Sequence, residues 1–149
     1  MTRYKIALSV GVVVGIVLDV HDLRAFHDVM RCRVLLVLDS KKPPQILKFP
    51  GGRVRNEAPR EALLRELYEE GGIKITIYEQ VPPHEVVRAN HRQLFYLATA
   101  ALDDAPKQGD ENDSSLITIT NHTLGEVFRG EVDLFPPHQQ ALHDLIREA

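Results

Sequence analysis

The chain has one cysteine, Cys32, so no disulfide can form within it. That rules out a small disulfide-stapled scaffold and suits a reducing compartment, so a cytoplasmic location is expected. Cys32 opens the run Cys32-Arg33-Val34-Leu35-Leu36-Val37 and reads as a small core residue rather than a reactive thiol. Positive charge is also scarce. Lysine and arginine number 18 against 21 aspartates and glutamates, a net charge of −3. No global positive field gathers nucleic acid, and no stable nucleic-acid partner is expected. A nucleotide substrate then needs local positive groups or a metal. There is no cysteine–histidine cluster of the kind that holds zinc. The apolar stretch Ile6–Val20 contains Gly11, Gly15 and many valines, is interrupted by Asp19, and lacks a small-residue cleavage pattern. It is too short to cross a bilayer as a helix, so no membrane association is expected. No repeat and no low-complexity block is present.

What is there is ordinary in bulk and specific in one place. With 149 residues, 44% of them hydrophobic and 26% charged, the chain reads as one soluble domain over residues 1–149. Strands are predicted at Tyr4–Asp19, Arg33–Leu38, Ile46–Phe49, Ile73–Val81, Gln93–Leu102 and Leu116–Thr120. His21–Arg31 reads as a loop or short insertion, and Asp103–Ser115 as an acidic surface loop. A helix is predicted over Ala58–Gly71, with Pro59 in its first turn, Asn56 or Glu57 at its positive end and Gly71-Gly72 as its stop. Thr123–Phe128 reads as a short helix, with Thr123 and Glu126 at capping-box spacing. Pro136–Ala149 is amphipathic, with Leu142, Leu145 and Ile146 inward and His138 and His143 read as surface residues. The order of elements suggests a mixed sheet covered by helices, an α/β fold.

The informative segment is Gly51–Ile73. Glu66, Glu69 and Glu70 stand at i, i+3 and i+4, so a helix puts them on one face. Ala62 lies one turn earlier on that face, and Leu63, Leu64 and Leu67 fall on the adjoining arc toward a core. Three close carboxylates repel one another, and a cation among them offsets that cost. All-oxygen ligation selects a hard ion, Mg²⁺ or Mn²⁺. Pro50-Gly51-Gly52 lets the backbone approach an ion or phosphate closely. Arg53, Arg55 and Lys48 flank this loop and are candidates for phosphate oxygens. Arg65 is expected to pair with Glu57 and brace the loop against the helix.

The whole pattern resembles the Nudix box, Gly-x5-Glu-x7-Arg-Glu-U-x-Glu-Glu-x-Gly-U, where U is bulky and aliphatic. Gly51, Glu57, Arg65, Glu66, Leu67, Glu69, Glu70, Gly72 and Ile73 fill every specified position. At ordinary residue frequencies a chance match is on the order of one in ten million. In many members the second glycine of Pro-Gly-Gly starts the box. Here Gly51 gives the right count to Glu57, so the turn is one residue shorter, and Asn56 stands where a glycine often precedes the glutamate.

The resemblance implies the Nudix fold, a mixed β-sheet sandwiched between α-helices. It implies Mg²⁺-dependent hydrolysis of a phosphoanhydride in a nucleoside diphosphate linked to another moiety. A nucleoside triphosphate or related small nucleotide is the substrate expected. Glu66, Glu69 and Glu70 are the implied metal ligands, with the Gly51 carbonyl beside them, and Arg65 belongs to the catalytic set. Glu66 is the chosen general base, with Glu111 as the alternative base or an extra ligand. Arg88, His91 and Arg92 are candidates for a substrate cleft. Phe95 or Tyr96 is a candidate for stacking on a base, against the plainer reading of both as core. Many relatives are dimers, which leaves a homodimer open. Two other readings stand beside hydrolysis: a nucleotide-sensing domain that does not cut, and an RNA 5′-end pyrophosphohydrolase, which needs a basic path for the strand.

Overall fold

The computed structural model describes residues 8–39, 46–104 and 116–148. One sheet contains β1 (Val10–Asp19), β2 (Arg33–Asp39), β3 (Gly51–Arg53), β4 (Thr76–Ile77), β5 (His84–Arg88), β6 (His91–Ala100) and β7 (Leu116–Thr123). Its order is β4-β6-β1-β2-β7, with β3 also against β1 and β5 also against β6. β1 and β6 run parallel; the other pairs are antiparallel. The helices are α1 (Val20–Phe26), α2 (Pro59–Gly71), α3 (Leu124–Phe128) and α4 (Pro136–Glu148). None of the described helices is long and apolar enough to cross a membrane.

The two-residue alternation of strands builds two cores from one sheet. Val13 and Val17 of β1 pack with Tyr96 and Ala98 of β6 against Leu63 and Leu67 of α2. Val14, Ile16 and Leu18 pack with Phe95 and Leu97 against Leu124, Val127, Leu142 and Leu145 of α3 and α4. Helices therefore cover both faces of a mixed sheet, as the resemblance implied. Phe95 and Tyr96 are both core side chains, on opposite faces. Cys32 is fully buried, its Sγ 3.3 Å from the Asp28 carbonyl. Burial pushes the thiol up to about 11, with Asp22, Asp19 and Asp28 adding to the shift.

Several local expectations are corrected. Residues 21–31 are not a loop: α1 and a 3-10 turn at Val29–Arg31 occupy them. α1 has no fully buried residue, and Leu23 packs against the core only partly buried. Its ends are fixed by Asp19, which accepts from the Asp22 N–H at 3.0 Å, and by His27 in the left-handed region at φ 52°. Asp19 is fully buried and also accepts from Leu102 N–H and Arg33 Nη2. Residues 46–49 make only the isolated bridges Val37↔Lys48 and Leu47↔Leu134, and the strand proper starts at Gly51. The 73–81 strand shrinks to Thr76–Ile77, although Ile73, Ile75 and Ile77 are buried in alternation. β5 was not expected. α2 has Ala58 at its N-cap with no side-chain cap, so neither Asn56 nor Glu57 caps it. Leu64 is 42% exposed, unlike Leu63 and Leu67. The capping box of Thr123 and Glu126 is present. Residues 105–115, and with them Glu111, lie outside the described residues.

Candidate active site

The site has two halves, one on each face of the sheet, which meet at β3. The register pairs Val14 with Gly51, Val13 with Gly52 and Val12 with Arg53. Gly52 therefore shares the α2 face with Val13, while Gly51 and Arg53 share the α4 face with Val12 and Val14.

On the α2 face, Glu66 is buried directly over Gly52. A Cβ on Gly52 would stand 2.2 Å from the Glu66 Cδ, so only glycine leaves room for that carboxylate. Arg65 is the hub of the ion pairs. Its Nε lies 3.0 Å from both Glu57 carboxylate oxygens and its Nη2 donates to Glu57 Oε1 at 2.6 Å. Nη1 donates to Glu66 Oε1 at 3.0 Å and to Glu69 Oε2 at 3.2 Å. Nη2 also donates to the Arg53 carbonyl at 3.1 Å, tying β3 to α2. Hydrogen bonding from Arg65 is the largest cause holding the Glu57 carboxyl below its ordinary range.

The β1–β3 ladder orients the loop carbonyls. Gly15 N–H donates to the Pro50 carbonyl at 2.8 Å and Val54 N–H to the Gly11 carbonyl at 2.9 Å. Bonded pairs alternate in an antiparallel ladder. The Gly52 carbonyl thus faces β1, and the Gly51 and Arg53 carbonyls point away from it, toward the side where Arg65 reaches Arg53.

Among the described residues no three acidic, histidine or cysteine side chains are gathered as they stand into a group able to hold a metal. Glu66 and Glu69 are turned to Arg65 instead. The donor chemistry nevertheless fits a hard divalent cation. Glu57, Glu66 and Glu69 share one guanidinium, so the cluster keeps a net negative charge. Carboxylates and an outward carbonyl are oxygen donors of the right kind.

On the α4 face, a cleft of about 260 Å³ is lined by Gly51, Gly52, Glu70, Phe135 and His138. Val12, Val14, Gln93, Lys48, Arg53 and Arg88 also line it. Three cations thus border one cleft in a chain whose net charge is −3. Lys48 and Arg53 are brought there together, as is Arg88. His91 and Arg92 are not part of it: His91 packs on Gly11, and Arg92 donates to the Leu8 carbonyl and pairs with Glu85.

His138 corrects the surface reading. It is 8% exposed, and its Nδ1 accepts from the Phe49 N–H at 3.0 Å. Burial, then Lys48 and Arg88, pushes its pKa down to about 4. His143 is half-buried, stacked on Phe128 at 4.2 Å. Sequence reasoning missed Gln93, Phe135 and His138, and it placed Gly52 in the loop without its contact to Glu66. For His138 a signal existed, since it stands three and four residues before Ala141 and Leu142, on the buried face of α4.

The family profile of the NUDIX domain matches residues 13–144. Among solved structures, the chain is similar to a NUDIX-family hydrolase from Clostridium perfringens, at 20% identity and a TM-score of 0.62, covering 94% of this chain and 98% of that one. It is similar to an Ap4A hydrolase from C. elegans in a binary complex, at 19% identity and a TM-score of 0.62, covering 91% and 96%. It is similar to a MutT protein from Methanosarcina mazei, at 14% identity and a TM-score of 0.62, covering 97% and 98%. At these identities the structures speak for the fold. No curated protein matches the chain. By the profile match, the chain belongs to the NUDIX family, a family of hydrolases.

Proposed function

We propose that this NUDIX-family chain hydrolyses a phosphoanhydride bond in a nucleoside diphosphate linked to another moiety. The substrate is a nucleoside triphosphate or a related small nucleotide, and Mg²⁺, or Mn²⁺ in its place, is the cofactor. One observation carries this reading. A cleft bordered by Lys48, Arg53 and Arg88 opens onto Gly51, Gly52 and Glu70, at the edge of the glutamate cluster. The local positive charge that a nucleotide needs in an acidic chain lies next to the acidic stripe that a metal needs.

Glu66, Glu69, Glu70 and the Gly51 carbonyl are the proposed metal ligands. A bound divalent cation supplies neutralisation of phosphate charge and a more acidic water. Lys48 and Arg53 bind phosphate oxygens and orient the chain of phosphates. Glu66, held over Gly52, accepts the proton of the attacking water. Arg65 keeps Glu66 aimed while Glu57 locks Arg65 to the loop, and the whole cluster works in the cytoplasm.

The test is a panel of nucleoside triphosphates, dinucleoside polyphosphates and nucleotide sugars, assayed with Mg²⁺ and with Mn²⁺ and with products identified by mass. Glu70→Gln and Glu69→Gln should each lower turnover by orders of magnitude at unchanged circular dichroism. Unchanged turnover in both variants would sink the assignment. Binding without any product would favour the sensing domain, and strongly salt-dependent binding of triphosphorylated RNA would favour the RNA enzyme.

A further inference from the structure

Three aromatic rings fix His138 in place in the lining of the cleft. Phe49 stacks on it at 5.8 Å, and Phe95 and Phe135 meet it edge-on at 5.4 and 5.1 Å. Phe49 N–H donates to Nδ1, so that nitrogen carries a lone pair and the neutral ring carries its proton on Nε2. Burial favours the neutral ring. Nε2 has no protein partner among the described residues, and it is not one of the buried atoms left unsatisfied, so it keeps access to the cleft that His138 lines.

We infer that His138 is a specificity-determining residue, presenting a single neutral N–H donor at Nε2 to an acceptor on the nucleobase. This rests on the nucleotide reading above and goes further by assigning a group of the cleft lining to the base. The choice of base over phosphate follows from charge. Lys48, Arg53 and Arg88 border the same cleft and take anionic oxygens, whereas a neutral, ring-packed donor suits a neutral carbonyl oxygen or ring nitrogen. Gln93, which also lines the cleft, adds an amide able to donate and accept.

Two conservative variants separate the donor from the anchor. In His138→Asn the amide oxygen can take the place of Nδ1 and accept from Phe49, while the Nε2 donor is lost. In His138→Gln the amide nitrogen can take the place of Nε2, while the Phe49 anchor is lost. Binding of AMP, GMP, CMP and UMP is measured by calorimetry without metal, and the His138 ring nitrogens of the unaltered protein are followed by NMR through each titration. The expected result is that one monophosphate binds best and shifts the Nε2 resonance. His138→Asn should weaken that nucleotide about tenfold and flatten the ranking, and His138→Gln should keep the ranking. With the corresponding triphosphates, the change in His138→Asn should fall on KM rather than kcat. Equal ranking in His138→Asn and the unaltered protein overturns the inference. So does an Nε2 resonance unmoved at saturation, which decides the matter if the variants fail to fold. If no monophosphate binds yet triphosphates are cut with Mg²⁺, this inference falls and the proposed hydrolysis stands. If no nucleotide is bound or cut, both fall.

Discussion

The two halves of the site share one strand and little else. The α2 half comes from a single stretch, Gly51 to Ile73, and its side chains are held by ion pairs that radiate from Arg65. The cleft half is gathered from separate segments: Val12 and Val14, Lys48 and Phe49, Arg88 and Gln93, Phe135 and His138. Its fixed element is a neutral histidine packed among phenylalanines. One half is built of charge at short sequence range and the other of shape at long range. β3 is where they touch, because its alternating residues look onto opposite faces. Disturbing neighbouring positions of β3 should therefore damage different things.

The largest effect on turnover is expected at Gly52. A Cβ there would overlap the Glu66 carboxylate, which is the mobile end of a side chain and can swing aside. Gly52→Ala should lower kcat by about two orders of magnitude or more, as loss of an aimed catalytic group does. Its melting temperature should stay close to that of the parent. Steady-state kinetics with calorimetry check this, and a variant that keeps full turnover would separate Gly52 from the glutamate site.

The neighbouring substitution should reverse the pattern. A Cβ on Gly51 would stand 2.2 Å from the Val13 carbonyl oxygen and 2.9 Å from the Val14 Cα, both backbone atoms of the central strand. Neither can move without moving β1. Gly51→Ala should cost on the order of 3 kcal/mol of stability by overpacking, read from the urea midpoint. A pair of variants with equal stability and equal turnover would break the division between the halves.

Acid should separate them as well. His138 titrates at about 4 in the folded chain against an ordinary 6.5. The unfolded chain therefore takes up a proton that the folded chain refuses. The stability tied to a neutral His138 is full above about pH 6.5 and is lost as pH falls toward 4, by roughly 3 kcal/mol in all. Glu57 has the opposite charge type and a lowered pKa, so its pairing with Arg65 persists until the pH falls below its ordinary value of 4.5. Between those values the cleft half should loosen while the α2 half stays braced. Amide exchange of Phe49, compared with that of the α2 amides, measures it after correction for intrinsic rates. Equal loosening of both halves would contradict the assignment.

The same contrast explains what could be read in the sequence. α2, its Gly72 stop at φ 64° and the Thr123–Glu126 cap were legible because their causes lie within a few residues. β1 was legible as a long buried strand and Ile73, Ile75 and Ile77 as a half-buried alternation, whereas the continuous apolar run of β1 does not tell which residue faces which core. α1 was not legible, because it has no fully buried residue and depends on Asp19, a carboxylate whose other partners come from Leu102 and Arg33. β5 was not, because none of its residues is buried and, among the described residues, it pairs only with β6. His138 escaped because a histidine on an amphipathic helix is polar by type and buried only by what folds over it. Its partners Phe49 and Phe95 are far away in the chain. The place of Gly52 under Glu66 escaped because the box counts from Gly51, and only the strand register reveals which glycine lies under that carboxylate.

The smallest expected effect concerns the helix that carries the glutamates. α3 has a full capping box, whereas α2 starts at Ala58 with extended backbone and no side-chain cap. Its first N–H groups thus lack the partner that serine supplies at that position. Ala58 is exposed, and its backbone already has the cap geometry, φ −69° and ψ 150°, so a hydroxyl can be added without moving the chain. Ala58→Ser should stabilise the protein by about 1 kcal/mol. Because the change adds no charge near Glu57 and leaves Arg65 and its partners in place, turnover should not change. A stability gain with a fall in kcat would mean that the entry to α2 is tuned for flexibility, and that the two halves are coupled through the loop as well as through β3.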